Sequence, residues 1–330
     1  MKETNTQAKI EIVRLTEALV DDVGKLLCLC FPRAERYLQA PWNYSGKPMT
    51  GALLKQKVLS NKLFDPEGTF IVLLAGKIVG CCLTVIKKSE KLNIGFICAF
   101  AVDPCFRRQG IGELLLNNTE QYFQKHQVKR STFSFESNPM ALYGGIQFND
   151  DGYTFFLNHG FRSCENSILL LLSQDTSRFI LTNAMQTLII KLKDYDINIV
   201  LLNASLIDRV DQFLAVNFEG WRESIIPQFL KNPLPQMLIA VQGERVIGYA
   251  GPYSVTDSGL GNFHSIGVAS SERGKGLGAV LFHLMCANLK SGGAKSTALS
   301  VSNVGEALEL YIRADFKVRY AVDFKMKKEY

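Results

Sequence analysis

IEIVRLTEALVDDVGKLLCLCF, Ile10 to Phe31, aligns without gaps on INIVLLNASLIDRVDQFLAVNF, Ile197 to Phe218. One unit is written twice in the chain. The apolar positions coincide: Ile12 with Ile199, Val13 with Val200, Leu15 with Leu202, Leu19 with Leu206, Val23 with Val210 and Leu27 with Leu214. Their spacing predicts a short strand and then an amphipathic helix in each copy.

Outward from this pair the order of elements holds. LAGKIVG (Leu74 to Gly80) echoes VQGERVIG (Val241 to Gly248), each a Gly-centred turn between apolar runs, which predicts a β-hairpin. FAVDPCFRRQGIGELLL (Phe100 to Leu116) matches IGVASSERGKGLGAVLF (Ile266 to Phe282), and STFSFESN (Ser131 to Asn138) matches STALSVSN (Ser296 to Asn303). Each copy thus reads as strand, helix, variable helical segment, hairpin, strand, Gly-rich loop, helix, strand, helix and final strand. That order predicts a mixed α/β domain, a central mixed β-sheet flanked by helices. The repeat period is far too long for a solenoid, so whole domains are duplicated. The expected boundaries are residues 1–172 and 197–330, with 173–196 as a connector whose apolar-periodic part, Phe179 to Leu192, predicts a helix.

A chain of 330 residues is comfortable for two such domains, and 47% hydrophobic with 21% charged residues is the balance of an ordinary globular protein. The net charge of +6 is spread without a long Lys/Arg run, which gives no ground for a nucleic-acid partner. Of the eight cysteines, Cys28 and Cys30 are one residue apart, Cys81 and Cys82 are adjacent, and no CxxC pair occurs. Neither a metal site nor a disulfide framework is expected. MKETNTQAK lacks the apolar region of a signal peptide, and no stretch approaches the ~20 apolar residues of a membrane span, so a cytoplasmic protein without a membrane partner is the expectation.

Arg107, Arg108, Gln109, Gly110, Ile111 and Gly112 lie between an apolar strand and an apolar-periodic helix, and Arg273, Gly274, Lys275, Gly276, Leu277 and Gly278 stand in the same context. A helix start offers unpaired N–H groups, and glycine lets them approach a phosphate closely. Glycine capping an ordinary turn is the competing reading of one such loop, and its recurrence at equivalent positions weighs against that. A dinucleotide fingerprint needs GxGxxG and a Walker loop needs GxxxxGK[ST]; neither pattern is present.

A valine, four residues and then RxxGxG opening a helix resembles the acetyl-coenzyme-A signature of the GNAT superfamily of N-acetyltransferases. Val102 with Arg107 to Gly112, and Val268 with Arg273 to Gly278, match it. Ala307, Leu310, Tyr311 and Phe316 also fit that family's N-x-x-A-x-x-L-Y-x-x-x-G-F region, with Asn303 one residue earlier than the pattern has it and Asp315 in place of the glycine. The tandem arrangement is similar to the relatives of mycothiol synthase. The resemblance implies acetyl-CoA or another acyl-CoA as co-substrate, an amine acceptor, and a thioester carbonyl held by the backbone N–H of Val268 or Val102. It implies that Asn303 and Asn138 contact the cofactor and that Tyr311 protonates the departing thiolate.

On this reading the second copy is the catalytic one. The first keeps Asn138 but places Phe156 where the tyrosine belongs, and Tyr143 on an inserted loop substitutes only if that loop folds back. His264 lies four positions before Val268 and so on the same strand face, where a histidine relays the amine proton in resembling enzymes. A satisfied core histidine and a core tyrosine are the competing readings of His264 and Tyr311. For the whole chain the competing function is a CoA-binding or sensing module without turnover.

Overall fold

The computed structural model describes residues 9–31, 49–134, 138, 140–143, 145–148, 150–302 and 306–330. The chain divides into two compact units. One runs to Leu170 and takes in Tyr320–Tyr330; the other is Leu171–Arg319.

The first unit contains β1 (Ile10–Val13), α1 (Val20–Cys30), α2 (Gly51–Leu54), β2 (Thr69–Leu74), β3 (Lys77–Lys87), β4 (Ile94–Val102), α3 (Ile111–Lys125), β5 (Arg130–Thr132), β6 (Ile146–Gln147) and α4 (Asp151–Asn158). β1 to β4 pair antiparallel in sequence order and β5 joins β4 in parallel, giving the expected mixed sheet. Ala75 (φ 49°) and Gly76 (φ 78°) turn the β2–β3 hairpin, the positive φ at both positions matching the twist of the strands. Adjacent strand residues face opposite ways, so Cys81 joins the core under α1 and Cys82 the core under α3. Both act as small hydrophobes, as the apolar setting of the cysteines suggests.

The second unit holds most of β7 (Ile168–Gln174), then α5 (Asn183–Asp194), β8 (Ile197–Leu201), α6 (Ile207–Asn217), α7 (Glu219–Ile225), β9 (Gln236–Gln242), β10 (Arg245–Val255), β11 (Leu260–Val268), α8 (Leu277–Ser291), β12 (Ser296–Ser302) and α9 (Glu306–Arg313). Its sheet runs β7-β12-β11-β10-β9-β8, with β11 and β12 parallel. The connector's helix is α5, capped by Thr182, whose side chain accepts from the Met185 N–H.

The last two strands, β13 (Lys317–Asp323) and β14 (Lys327–Glu329), depart from the boundaries drawn from the repeat, which kept 320–330 with the second copy. β14 pairs with β5 in the register Lys327↔Thr132, Lys328↔Ser131 and Glu329↔Arg130. Met326 is wholly buried in the first unit's core, and Lys328 reaches Glu120 on α3 at 2.6 Å. The first unit's six-stranded sheet is therefore finished by the end of the second copy's sequence. β7, which follows the first copy's last helix, pairs beside β12 in the sheet of the second. Among the described residues no cluster of His, Cys, Asp and Glu could hold a metal ion, and no helix is long and apolar enough to cross a membrane.

Candidate active site

In both copies the strand leaves the sheet, turns through one 3-10 turn and enters a long helix. Gly110 (φ 80°) opens α3 and Gly276 (φ 79°) opens α8; neither helix start has a side-chain cap. The first backbone bonds are Leu114 N–H to Gly110 O at 2.9 Å and Val280 N–H to Gly276 O at 3.0 Å, so the earlier donors of each helix are available to an anion. The surroundings differ. A Cβ added at Gly110 would meet nothing within 4 Å, whereas one at Gly276 would come within 2.7 Å of Leu188 Cδ2 on α5. Lys275 is engaged as well, at 2.6 Å from Glu272 and with its ammonium over the Tyr195 ring.

Behind each loop two parallel strands part. β4 and β5 pair at Ile94↔Arg130, Gly95↔Ser131 and Phe96↔Thr132, while β11 and β12 pair at Leu260↔Ser296 and Gly261↔Thr297. Asp103 N–H bonds Val79 O on β3, so by alternation the Phe100 and Val102 N–H groups point away from β3 into the opening beside β4. Ala269 N–H to Ile247 O orients Ile266 and Val268 likewise in the second copy. β4 carries one extra residue, Cys98, between the pairs Leu83↔Ala99 and Thr84↔Ile97, a bulge that bends the strand at the opening.

In the first unit this opening is a cavity walled by Ile97 to Phe100 of β4, Phe133, Tyr143, Gln147 and Phe156. The inserted loop does fold back: Met140 and Leu142 are buried in the core, and Tyr143 packs against Phe31 with ring centroids 4.6 Å apart. Tyr143 Oη and Gln147 Nε2 are buried without a hydrogen-bond partner. Buried polar atoms without partners are costly, and a cavity wall is where a ligand atom can satisfy them. Burial pushes the Tyr143 hydroxyl well above the usual phenol range, so it stays an O–H donor. Asn138 Oδ1 accepts from Met140 N–H at 2.9 Å and from the Cys98 thiol at 3.7 Å, which holds Asn138 beside the bulge.

The model of the acetyltransferase (GNAT) family matches residues 27–143 and 206–316, one match over each loop and its flanking strand and helix. The chain belongs to this family. No curated protein matches it. Among solved structures, a GCN5-related glucosamine N-acetyltransferase region of a fungal multi-domain GH3 β-N-acetylglucosaminidase is similar, with TM-score 0.70 and 18% identity over 99% of this chain and 39% of that one. The chain thus spans well under half of that protein. A GCN5-related N-acetyltransferase from Sphaerobacter thermophilus has TM-score 0.62 and 16% identity over 97% of this chain and 95% of that one. A tandem GNAT protein from the clavulanic acid biosynthesis pathway has the same score and identity over 97% and 98%.

The second GNAT copy places its predicted residues differently. Tyr311 is buried among Phe282, Phe263 and Phe316, with centroids 4.9, 6.1 and 6.3 Å away, and burial pushes its hydroxyl up. That is the core tyrosine of the competing reading. Asp315 takes φ 67°, the left-handed conformation expected where the GNAT pattern has glycine. Asn303 lies outside the described residues, as do Tyr37, Trp42 and Tyr44 of the variable segment after the first helix, the segment that in each copy is expected to wall the acceptor. On the second copy's wall, Trp221 stacks on Phe218 at 5.3 Å, and Arg222 is held by Asp211 through bonds of 2.6 and 2.9 Å.

His264 shares the Val268 face of β11, as alternation predicts. Ser224 Oγ donates to Trp221 O, so at 3.0 Å it accepts from His264 Nε2–H; Nδ1 pairs with Ser265 Oγ at 2.9 Å, and Ser265 Oγ pairs with Tyr249 Oη at 2.9 Å. Burial pushes the ring down to about 4. The lowered ring weighs against a base poised near neutrality. The folded value lies below the unfolded ~6.5, so the native state binds fewer protons and stability falls as pH drops from about 6.5 towards about 4. His264→Gln should remove that part of the melting temperature's pH dependence and leave any turnover profile between pH 6 and 8 unchanged; a lost limb in that range would restore the catalytic role.

Proposed function

We propose that the chain is an acyl-CoA-dependent N-acyltransferase that moves an acetyl or similar acyl group to a small-molecule amine, with the first copy as the reacting one. The observation that carries this is the first unit's cavity, lined by Phe100 of β4 and by Tyr143 and Gln147, each of which carries a buried polar atom without a hydrogen-bond partner. The residues fit the co-substrate: the space before Gly110 suits a pyrophosphate, and the parted strands suit a narrow arm with amide groups. Bound there, acyl-CoA supplies an acyl group activated as a thioester.

The chain's own residues then divide the work. Arg107 to Gly112 would hold the phosphates, and Phe100 and Val102 N–H would donate to a carbonyl oxygen in the opening. Tyr143 holds a proton at Oη for the departing sulfur. Phe31, Phe133 and Phe156 give the cavity an apolar wall. This assignment moves the reaction from the second copy to the first. Tyr311 in an aromatic core and His264 held neutral support the change.

Thiol release tests it. Free coenzyme A should appear from acetyl-CoA only when an amine library is added, and the reacting amine identifies the acceptor. Tight cofactor binding with no acceptor across the library would favour the sensing module.

A further inference from the structure

The two loops carry one motif, yet among the described residues only the first has room beside the glycine that opens its helix. Gly110 and Gly276 have nearly the same positive φ, and glycine at this position leaves the helix N-terminus clear for a phosphate. In the second copy that clearance is filled. Leu188 Cδ2, Cδ1 and Cγ lie 2.7, 3.2 and 3.4 Å from the point where a Gly276 Cβ would stand. α5 is tied down around this contact. Leu192 is buried, Lys290 Nζ of α8 donates to Phe179 O at 2.8 Å before α5, and Gln242 Nε2 of β9 donates to Tyr195 O at 2.8 Å after it. Lys275, the loop's cation, is held by Glu272.

We infer that the second loop is a docking seat for the connector helix: Leu188 occupies the place of a pyrophosphate, and the chain binds one coenzyme A, in the first copy. This rests on the reading of the loops as phosphate cradles given above. The duplicated motif has changed its ligand from an anion to an apolar side chain of its own chain. Glycine is kept at 276 because Leu188, rather than a phosphate, needs the space.

Calorimetry on the full chain with coenzyme A as the probe should give one site, lost in Gly110→Asp. Two sites, or one that survives Gly110→Asp, would overturn the inference; survival together with loss in Gly276→Asp would also overturn the first copy's assignment. No binding at all would sink the proposed function alone, and melting temperatures then judge the inference. Gly110→Ala and Gly276→Ala share the positive-φ strain, but Gly276→Ala also meets Leu188 and should melt lower by a further ~3 °C or more. Adding Leu188→Ala should erase that excess. Equal melting temperatures for the two single variants would refute the contact.

Discussion

Replacing Tyr143 by phenylalanine lowers turnover by roughly 10- to 1,000-fold, the range of a lost proton donor, while KM for the acyl donor stays within a few-fold. The melting temperature should hold or rise. Tyr143 Oη is buried with no partner, so removing it relieves a desolvation cost of about 1–3 kcal/mol instead of breaking a bond. A purely structural tyrosine would not combine a stable fold with a slow enzyme. The hydroxyl is held above the ordinary phenol range, so no alkaline limb from this group is expected below about pH 10. Tyr311→Phe is the control, since that ring sits among Phe263, Phe282 and Phe316. If Tyr311→Phe is the slow variant and Tyr143→Phe is normal, the reaction belongs to the second copy.

Gly110→Asp should cost coenzyme A at least ~100-fold in affinity and leave the fold intact. Aspartate is among the side chains that tolerate positive φ, and nothing lies within 4 Å to obstruct its Cβ. At the start of α3 its carboxylate can accept the free N–H groups and face the positive end of the helix, a gain of about 1 kcal/mol that offsets strain. The same carboxylate fills the space proposed for the phosphates and repels their charge. Near-native melting with lost binding, measured by calorimetry, is the expected signature. Unchanged affinity would mean that this loop does not hold the phosphates.

The architecture was legible where it depends on neighbours in sequence. Period-two alternation placed His264 and Val268 on one face, and the paired Gly-rich loops marked both helix starts. Asp315 entered the left-handed region where the family pattern has glycine. What escaped the reading depends on distant partners. No local pattern tells β14 to pair with β5, because an edge strand of three residues is specified by the ladder it joins. The fold-back of Tyr143 follows from burying Met140 and Leu142, two ordinary hydrophobes inside an insertion. His264 could be placed but not characterised: Ser224 and Tyr249, which fix its state, come from α7 and β10. Gln147, the second unpartnered group of the cavity, had no motif to announce it.

The crossing of β7 and β14 changes how damage to this chain is inherited. On a sequence alignment, a premature stop at Lys327 falls in the second copy and leaves every residue of the first untouched. In the folded molecule it strips β5 of one of its two neighbours and removes Lys328 from Glu120, both in the first unit. A gene cut at the repeat boundary would likewise yield two pieces, each without a strand that its own sheet takes from the other. The duplication made two copies of the sequence, but the unit of loss is the whole chain.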